Sequence, residues 1–187
     1  KLSGEVLFAG KSILGLTDKE LRELRGEGGI AYIFQDPISA LNPVLKVKTQ
    51  LLEVYRGARA DREKELKELL QSVGLEERVL NAYPCELSGG MAQRVCIAMA
   101  MLSKPRLLIA DEPTTALDVI MQQKLLELLA ELRRKHGLSI LFITHNLGLV
   151  ARYSEYAAVM YGGRVVEQAP VKELLSNPMH PYTQGLL

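Results

Sequence analysis

Ser88, Gly89 and Gly90 stand directly before an apolar stretch with helical periodicity. The first N–H groups of a helix have no partner inside the helix, and glycine leaves them uncovered. An anion can therefore lie on the positive end of the helix dipole. This pattern predicts a phosphate-binding site at the start of the helix.

A second segment ends in two adjacent carboxylates, Asp111 and Glu112, which follow the apolar run 107–110. We predict that this run is a buried parallel strand, because such strands are continuously apolar. Open α/β sheets bind ligands at the carboxyl ends of their strands. An Asp-Glu pair at such an end indicates metal and water chemistry, although the same pair before proline is also typical of a helix-capping turn.

Two further apolar runs, 30–34 and 140–143, are predicted to be buried strands and are also followed by polar residues. Gln35 follows the first run, and His145 lies two positions after the second. A lone glutamine is usually a surface amide, and a lone histidine after a strand is more often structural than catalytic. The repeated position at a strand end favours a functional interpretation.

Parallel strands have their carboxyl ends at one edge of the sheet, so we expect Gln35, Asp111, Glu112 and His145 to converge. Hydrolysis of a nucleoside triphosphate needs a carboxylate for Mg²⁺, a second to orient water, and donors for the γ-phosphate. Asp111, Glu112 and His145 fit these roles in that order. Gln35 could bridge metal and water.

The alternation of apolar runs with amphipathic stretches predicts a parallel, doubly wound α/β sheet. The other predicted elements are a strand and turn at 5–10, a capping-box helix from Thr17 to Gly26, helices at 47–55, 62–73 and 88–103, a long helix capped by Asp118 and ended by Gly137, a hairpin within 157–167, and a short helix starting at Pro170. Helices 47–55 and 62–73 are predicted to form an insertion between two strands.

The composition indicates a globular domain, because 48% of the 187 residues are hydrophobic. The 23 basic and 22 acidic residues are interspersed and give a net charge of +1, so nucleic acid is not an expected partner. The sequence has neither a signal-peptide pattern nor an apolar run of about 20 residues. We therefore predict a soluble protein of the cytoplasmic side.

The order of these motifs resembles that of the ATP-binding subunits of ABC transporters. The Gln35 loop, the Leu-Ser-Gly-Gly-Met run 87–91, the strand 107–112, the turn 116–118 and His145 are similar to the family's Q-loop, signature, Walker B strand, D-loop and switch histidine. Within the family, Phe-Gln-Asp-Pro at 34–37 and His-Pro-Tyr-Thr at 180–183 are similar to dipeptide/oligopeptide and nickel importer ATPases.

The resemblance implies a P-loop NTPase-like fold, with a mostly parallel sheet flanked by helices. It implies a helical signature subdomain at about 44–103, inserted in a RecA-like core, and a C-terminal hairpin and tail at 157–187. It also implies ATP and Mg²⁺ as cofactors, ATP-driven import of di- or oligopeptides as the function, and a place on the cytoplasmic face of the membrane through permease subunits.

In the family, two ATPase subunits pair head to tail, as a homodimer or heterodimer. The resemblance therefore implies that Ser88, Gly89 and Gly90 act in trans, on ATP bound to the partner. It also implies that Asp118 lines the dimer seam and that Asp111 binds Mg²⁺. Glu112 would contact the attacking water and His145 the γ-phosphate. Gln35 would contact the metal and transmit a signal to the helical subdomain.

The family's Walker A loop would precede the segment 5–10, and the sequence contains no match to it. Gly10, Lys11 and Ser12 mimic the end of such a loop, but Glu5 occupies the position where its earlier glycine is required. We therefore predict a single truncated domain without the N-terminal strand and P-loop. Alone, this chain is expected neither to bind ATP tightly nor to hydrolyse it.

Two other hypotheses remain at this point, besides a nickel importer. The first is a non-catalytic module that pairs with an intact ATPase, which the missing loop favours and the presence of Glu112 and His145 opposes. The second is an ABC-type ATPase of DNA repair or translation. The loop 35–43, the segment 180–183 and the near-neutral charge oppose it.

Overall fold

The computed structural model describes residues 4–55, 57–58, 60–115 and 117–187. In chain order its elements are β1 (Leu7–Phe8), β2 (Lys11–Ser12), α1 (Asp18–Leu24), β3 (Ile30–Ile33), α2 (Val47–Val54), α3 (Arg62–Ser72), α4 (Gly89–Leu102), β4 (Leu107–Asp111), α5 (Val119–His136), β5 (Ser139–Ile143), α6 (Leu147–Tyr153), β6 (Tyr156–Tyr161), β7 (Arg164–Pro170), α7 (Val171–Ser176) and α8 (Pro181–Leu186). Among the helices of these ranges, none is both long and apolar enough to cross a membrane.

The central sheet consists of three parallel strands in the order β3-β4-β5. Its register aligns Tyr32 with Ile109 and Ile109 with Leu141, and so brings the carboxyl ends of the strands to one edge. This parallel arrangement was predicted. Two short antiparallel pairs, β1-β2 and β6-β7, form separate sheets.

The prediction that all three strands are buried is wrong for the outer two. Strand side chains alternate between two faces. On one face Leu108 and Ala110 are fully buried, whereas Ile140 and Phe142 of β5 are partly buried. On the opposite face, Tyr32 is 41% and Leu141 51% exposed, because no described element covers them. An apolar run looks the same whether one face of the strand is covered or both.

The core lies between the covered face of the sheet and the helices. Val95 and Ala98 of α4 and Leu125 of α5 are almost completely buried, and they belong to one cluster with residues of α2 and α3. The small alanine side chains let α4 approach its neighbours closely. Helices α2, α3 and α4 fall within the stretch 44–103, whose boundary as a subdomain stays a prediction.

Local capping residues set the ends of the helices, as predicted. Thr17 and Glu20 form a capping box at α1, and Asp118 accepts a hydrogen bond from the Met121 N–H at α5. Gly137 ends α5 in the left-handed conformation, with φ of 62°. Gly10 lies in the β1-β2 turn, and Lys11 belongs to β2.

The C-terminal part contains the predicted β6-β7 hairpin and two helices that were not predicted, α6 and α8. Gly162 and Gly163 form the hairpin turn, and both have positive φ, which glycine adopts without strain. Glu167 of β7 accepts hydrogen bonds from the backbone N–H groups of Met179 (2.8 Å) and His180 (3.0 Å). These bonds attach the segment before α8 to the hairpin.

Candidate functional site

The carboxylate of Glu112 is hydrogen-bonded by side chains from two other segments and by one from its own turn. Oε1 of Glu112 lies 2.9 Å from Nδ1 of His145, and Oε2 accepts hydrogen bonds from Gln35 Nε2 (3.3 Å) and Thr115 Oγ1 (2.6 Å). The structure thus brings together Gln35, Glu112 and His145 and adds Thr115, which the sequence did not indicate. We call these four residues the carboxylate cluster; the roles assigned to them stay predictions.

The backbone of Glu112 is in the left-handed region, with φ of 42°. Such a conformation costs a non-glycine residue about 1–3 kcal/mol and is concentrated at functional sites. The surrounding backbone holds it, because the Glu112 N–H donates to the Ile143 carbonyl (2.9 Å) and its carbonyl accepts from the Thr115 N–H (3.2 Å). The turn away from strand geometry directs the side chain into the cluster.

Hydrogen bonding holds the pKa of Glu112 below that of a free glutamate. The Thr115 hydroxyl is the largest cause, and the hydrogen bond and charge of His145 add to it. Glu112 is therefore an ionised acceptor at neutral pH. His145 has a largely exposed side chain and a second ring nitrogen, Nε2, through which it can contact a ligand.

Asp111, at the end of β4, has a different partner. The Tyr32 hydroxyl donates to Oδ2 of Asp111 at 2.6 Å, and this bond raises the pKa of Tyr32. The Tyr32 ring packs against Phe34, with ring centroids 4.7 Å apart. Within the described part of the chain no donor reaches Oδ1, so this oxygen is available to a cation or its water. The sequence did not single out Tyr32.

The oxygen atoms near Asp111 and Gln35 suit Mg²⁺, which completes its coordination with phosphate and water. They are too few to hold a metal that takes all its ligands from the protein. Mg²⁺ prefers oxygen ligands and usually takes one or two carboxylates together with phosphate and water. Asp111 and the Gln35 amide supply oxygens of this kind. No group of three His, Cys, Asp or Glu residues in the described ranges could hold a metal.

Ser88, Gly89 and Gly90, here called the signature turn, begin α4. Oγ of Ser88 accepts a hydrogen bond from the Met91 N–H at 3.3 Å, so Ser88 is the N-cap. No atom lies within 4 Å of the place where a Cβ of Gly89 would be, whereas Met121 Cε lies 2.9 Å from that of Gly90. The turn therefore offers accessible backbone at Gly89, as anion binding requires; its ligand stays a prediction.

The turn predicted at 116–118 is described in part, because Ala116 lies outside the described residues. Asp118 caps α5, and its role at a dimer seam stays a prediction. Gln122, on the first turns of α5, donates from Nε2 to the carbonyls of Thr114 (3.0 Å) and Leu117 (3.2 Å). These bonds were not predicted.

Comparisons with known proteins agree with this geometry. A family model described as ABC transporter matches residues 1–115. The chain is 50% identical over 190 residues to the oligopeptide transport ATP-binding protein OppD of Bacillus subtilis, covering 98% of the chain and 53% of that protein. It is 46% identical over 191 residues to the dipeptide transport ATP-binding protein DppD of Lactococcus lactis, covering 98% and 54%. The chain thus spans about half the length of these relatives.

Solved structures of related proteins also superpose on this chain. A dimeric ATP-binding cassette in a post-hydrolysis state, bound to ADP and Pi, superposes with a TM-score of 0.78 at 32% identity, covering 90% of this chain and 74% of that one. A cassette of Clostridium perfringens that is part of the cbiONQ transporter complex has a TM-score of 0.81 at 30% identity, covering 94% and 69%.

Proposed function

The chain belongs to the ABC transporter family, and we propose that it is the catalytic part of an ATP-hydrolysing subunit that drives import of di- or oligopeptides. The observation that carries this proposal is the ionised Glu112 carboxylate, held by Gln35, Thr115 and His145 at the ends of three parallel strands. The names of the relatives, oligopeptide and dipeptide transport ATP-binding proteins, support the substrate class.

The residues of the cluster have complementary roles in hydrolysis. Glu112 accepts a hydrogen bond from the attacking water and orients it, because its lowered pKa keeps it ionised. His145 holds Glu112 through Nδ1 and contacts the γ-phosphate through Nε2. Gln35 donates to Glu112 through Nε2, which leaves its Oε1 for the metal or its water.

Asp111 and Gln35 would hold Mg²⁺ through oxygen atoms. The bound ion supplies charge that offsets the negative charge developing on the phosphate oxygens. Tyr32 fixes the Asp111 carboxylate by donating to Oδ2, so that the orientation of Oδ1 is set before the ion arrives.

The signature turn serves ATP bound to a second subunit. Its accessible backbone at Gly89 and the dipole of the 14-residue helix α4 suit a phosphate. The related cassette with ADP and Pi is described as dimeric, which supports pairing of two such subunits. Asp118 lies at the start of α5 beside the signature turn, and we place it at the seam. The pair docks on permease subunits at the cytoplasmic face of the membrane.

The proposal is tested with the full-length protein, co-purified with its permease and reconstituted in proteoliposomes. We expect ATP hydrolysis that requires Mg²⁺ and ATP-dependent uptake of labelled di- and oligopeptides. Uptake of Ni²⁺ without uptake of peptide would contradict the substrate class. ATP-dependent association of the subunit without any hydrolysis would contradict the catalytic role and favour a non-catalytic pairing module.

A further inference from the structure

One side-chain amide holds the segment that follows Glu112. Nε2 of Gln122 donates to the Thr114 carbonyl at 3.0 Å and to the Leu117 carbonyl at 3.2 Å. The Thr114 carbonyl also accepts from the Leu117 N–H at 3.1 Å, and Thr114 is only 4% exposed. Buried carbonyls need partners. Without Gln122, the Leu117 carbonyl would lose this hydrogen-bond donor, and the Thr114 carbonyl would lose one of its two donors.

Thr115, the residue after Thr114, connects this segment to the carboxylate of Glu112. Its N–H donates to the Glu112 carbonyl at 3.2 Å, and its hydroxyl donates to Oε2 of Glu112 at 2.6 Å. A shift of the Thr114 backbone would therefore move the hydroxyl that contributes most to the lowered pKa of Glu112. The position of Gln122 is thus connected to the position of the catalytic carboxylate.

The same part of the chain contacts the signature turn. Met121, which precedes Gln122, places Cε 2.9 Å from the Cβ position of Gly90, and Leu117 places Cδ2 at 3.7 Å from it. The carbonyl of Leu117 is one of the two that Gln122 holds. A continuous set of contacts therefore runs from Glu112 through the Gln122 bonds to Gly90.

We propose that Gln122 is a positioning residue that fixes the Glu112 carboxylate relative to the signature turn. It links the site at which the full-length subunit hydrolyses its own ATP to the surface that contacts the partner's ATP. Gln122 acts through Thr115 on one side and through Leu117 on the other, and itself contacts neither nucleotide nor water. This inference rests on the proposed function.

The test compares Gln122→Met with Gln123→Met in the full-length protein. Methionine has a similar length to glutamine but no N–H donor. Gln123 is the matched control, because it is adjacent, exposed, and donates from Nε2 to Glu127 Oε1 at 2.8 Å on the outer surface of α5. We expect Gln122→Met to lower kcat about tenfold with KM for ATP within about twofold of wild type. Gln123→Met should retain the wild-type constants.

A double-mutant cycle separates positioning from general stabilisation. Thr115→Val and Gln122→Met combined should lower kcat by less than the product of their separate effects, because one residue acts through the other. Multiplying effects would overturn the proposal, and so would a Gln122→Met variant with a lower Tm but an unchanged kcat. If Gln122→Met does not fold, Gln122→Glu, which replaces the donor with an acceptor, is measured in its place.

The outcomes distinguish this inference from the function on which it rests. A wild-type protein that hydrolyses no ATP would overturn the proposed function itself. Hydrolysis that depends on Glu112 but is equally insensitive to Gln122→Met and Gln123→Met would overturn only the positioning role of Gln122.

Discussion

The carboxylate cluster and the signature turn both suit phosphate chemistry, but they are built in opposite ways. Glu112 has three side-chain partners, a lowered pKa and a left-handed backbone. Among the described residues, the signature turn has one side-chain bond, from the Met91 N–H to Ser88, and there is open space at the Cβ position of the half-buried Gly89.

The difference follows from what each region has to do. Directing a water molecule requires a carboxylate of fixed protonation and orientation, which several donors provide. Binding a phosphate requires unpaired N–H groups at a helix start, which extra side chains would obstruct. Changes in the cluster should therefore affect turnover, and changes in the signature turn should affect association.

The largest effect is expected from Glu112→Gln in the full-length protein. The amide keeps the shape of the side chain but cannot act as an ionised acceptor, so we expect kcat to fall at least about 100-fold. ATP binding, measured by equilibrium dialysis, should persist. Glu127→Gln, an exposed change on α5, is the control. Turnover within twofold of wild type would remove Glu112 from its assigned role.

The next largest effect is expected from Gly89→Ala. Because there is open space for the new Cβ and a helix favours alanine over glycine, the melting temperature should not fall. The methyl group would cover the phosphate-binding N–H groups, so ATP-driven association should weaken about tenfold. Gly185→Ala, another helical glycine with open space at its Cβ, is the matched control. Association is measured by sedimentation velocity. If the Gly89 variant associates as the wild type does, the phosphate of the partner's ATP does not bind at Gly89.

A smaller effect is expected from Tyr32→Phe, which removes the hydroxyl bound to Asp111. The Mg²⁺ concentration for half-maximal stabilisation of bound ATP should rise about threefold, because Asp111 loses its fixed orientation. ATP binding in EDTA should stay the same. Tyr182→Phe, whose ring packs on Tyr161, is the control. An unchanged Mg²⁺ requirement would show that Asp111 does not need Tyr32.

The smallest effect is a pH shift in Thr115→Val. Thr115 is the largest cause of the lowered pKa of Glu112, so its loss raises that pKa towards the free value of about 4.3. In the wild type, the stability that this shift contributes is present above the free pKa and is lost as pH falls through the folded pKa. In the variant the folded pKa lies nearer to the free value, so less stability should be lost on acidification and the loss should end at higher pH. A ¹³C NMR titration of the Glu112 carboxyl carbon measures both midpoints, and equal midpoints would contradict the role of Thr115.

The sequence was sufficient for features that depend on neighbours in the chain. Thr17 and Asp118 cap helices as predicted, because a capping side chain bonds an N–H two or three residues away. The convergence of Gln35, Glu112 and His145 was also predicted, since parallel pairing alone places strand ends at one edge.

Features that depend on exact backbone geometry were missed. The Tyr32–Asp111 bond requires the register that pairs Tyr32 with Ile109, and periodicity does not specify register. The Thr115–Glu112 bond accompanies a positive φ at Glu112, which glutamate rarely adopts. Helix α6 was missed because its 7 residues are fewer than the window over which helical periodicity can be recognised.

We infer that Glu112 serves the chain's own ATP and that the signature turn serves the partner's. Differently tagged full-length subunits allow two heterodimers to be purified. One pairs a Glu112→Gln subunit with a Gly89→Ala subunit. The other pairs a subunit carrying both changes with wild type. If the signature turn acts in trans, the first heterodimer keeps one intact site and the second keeps none.

The decisive measurement is the ATPase rate of these two heterodimers at equal concentration. We expect clear hydrolysis by the heterodimer of two single variants. The heterodimer of the double variant with wild type should hydrolyse ATP at a rate near background. The reverse order, with activity only in the second heterodimer, would show that Glu112 and Gly89 of one chain serve the same ATP and would contradict the account.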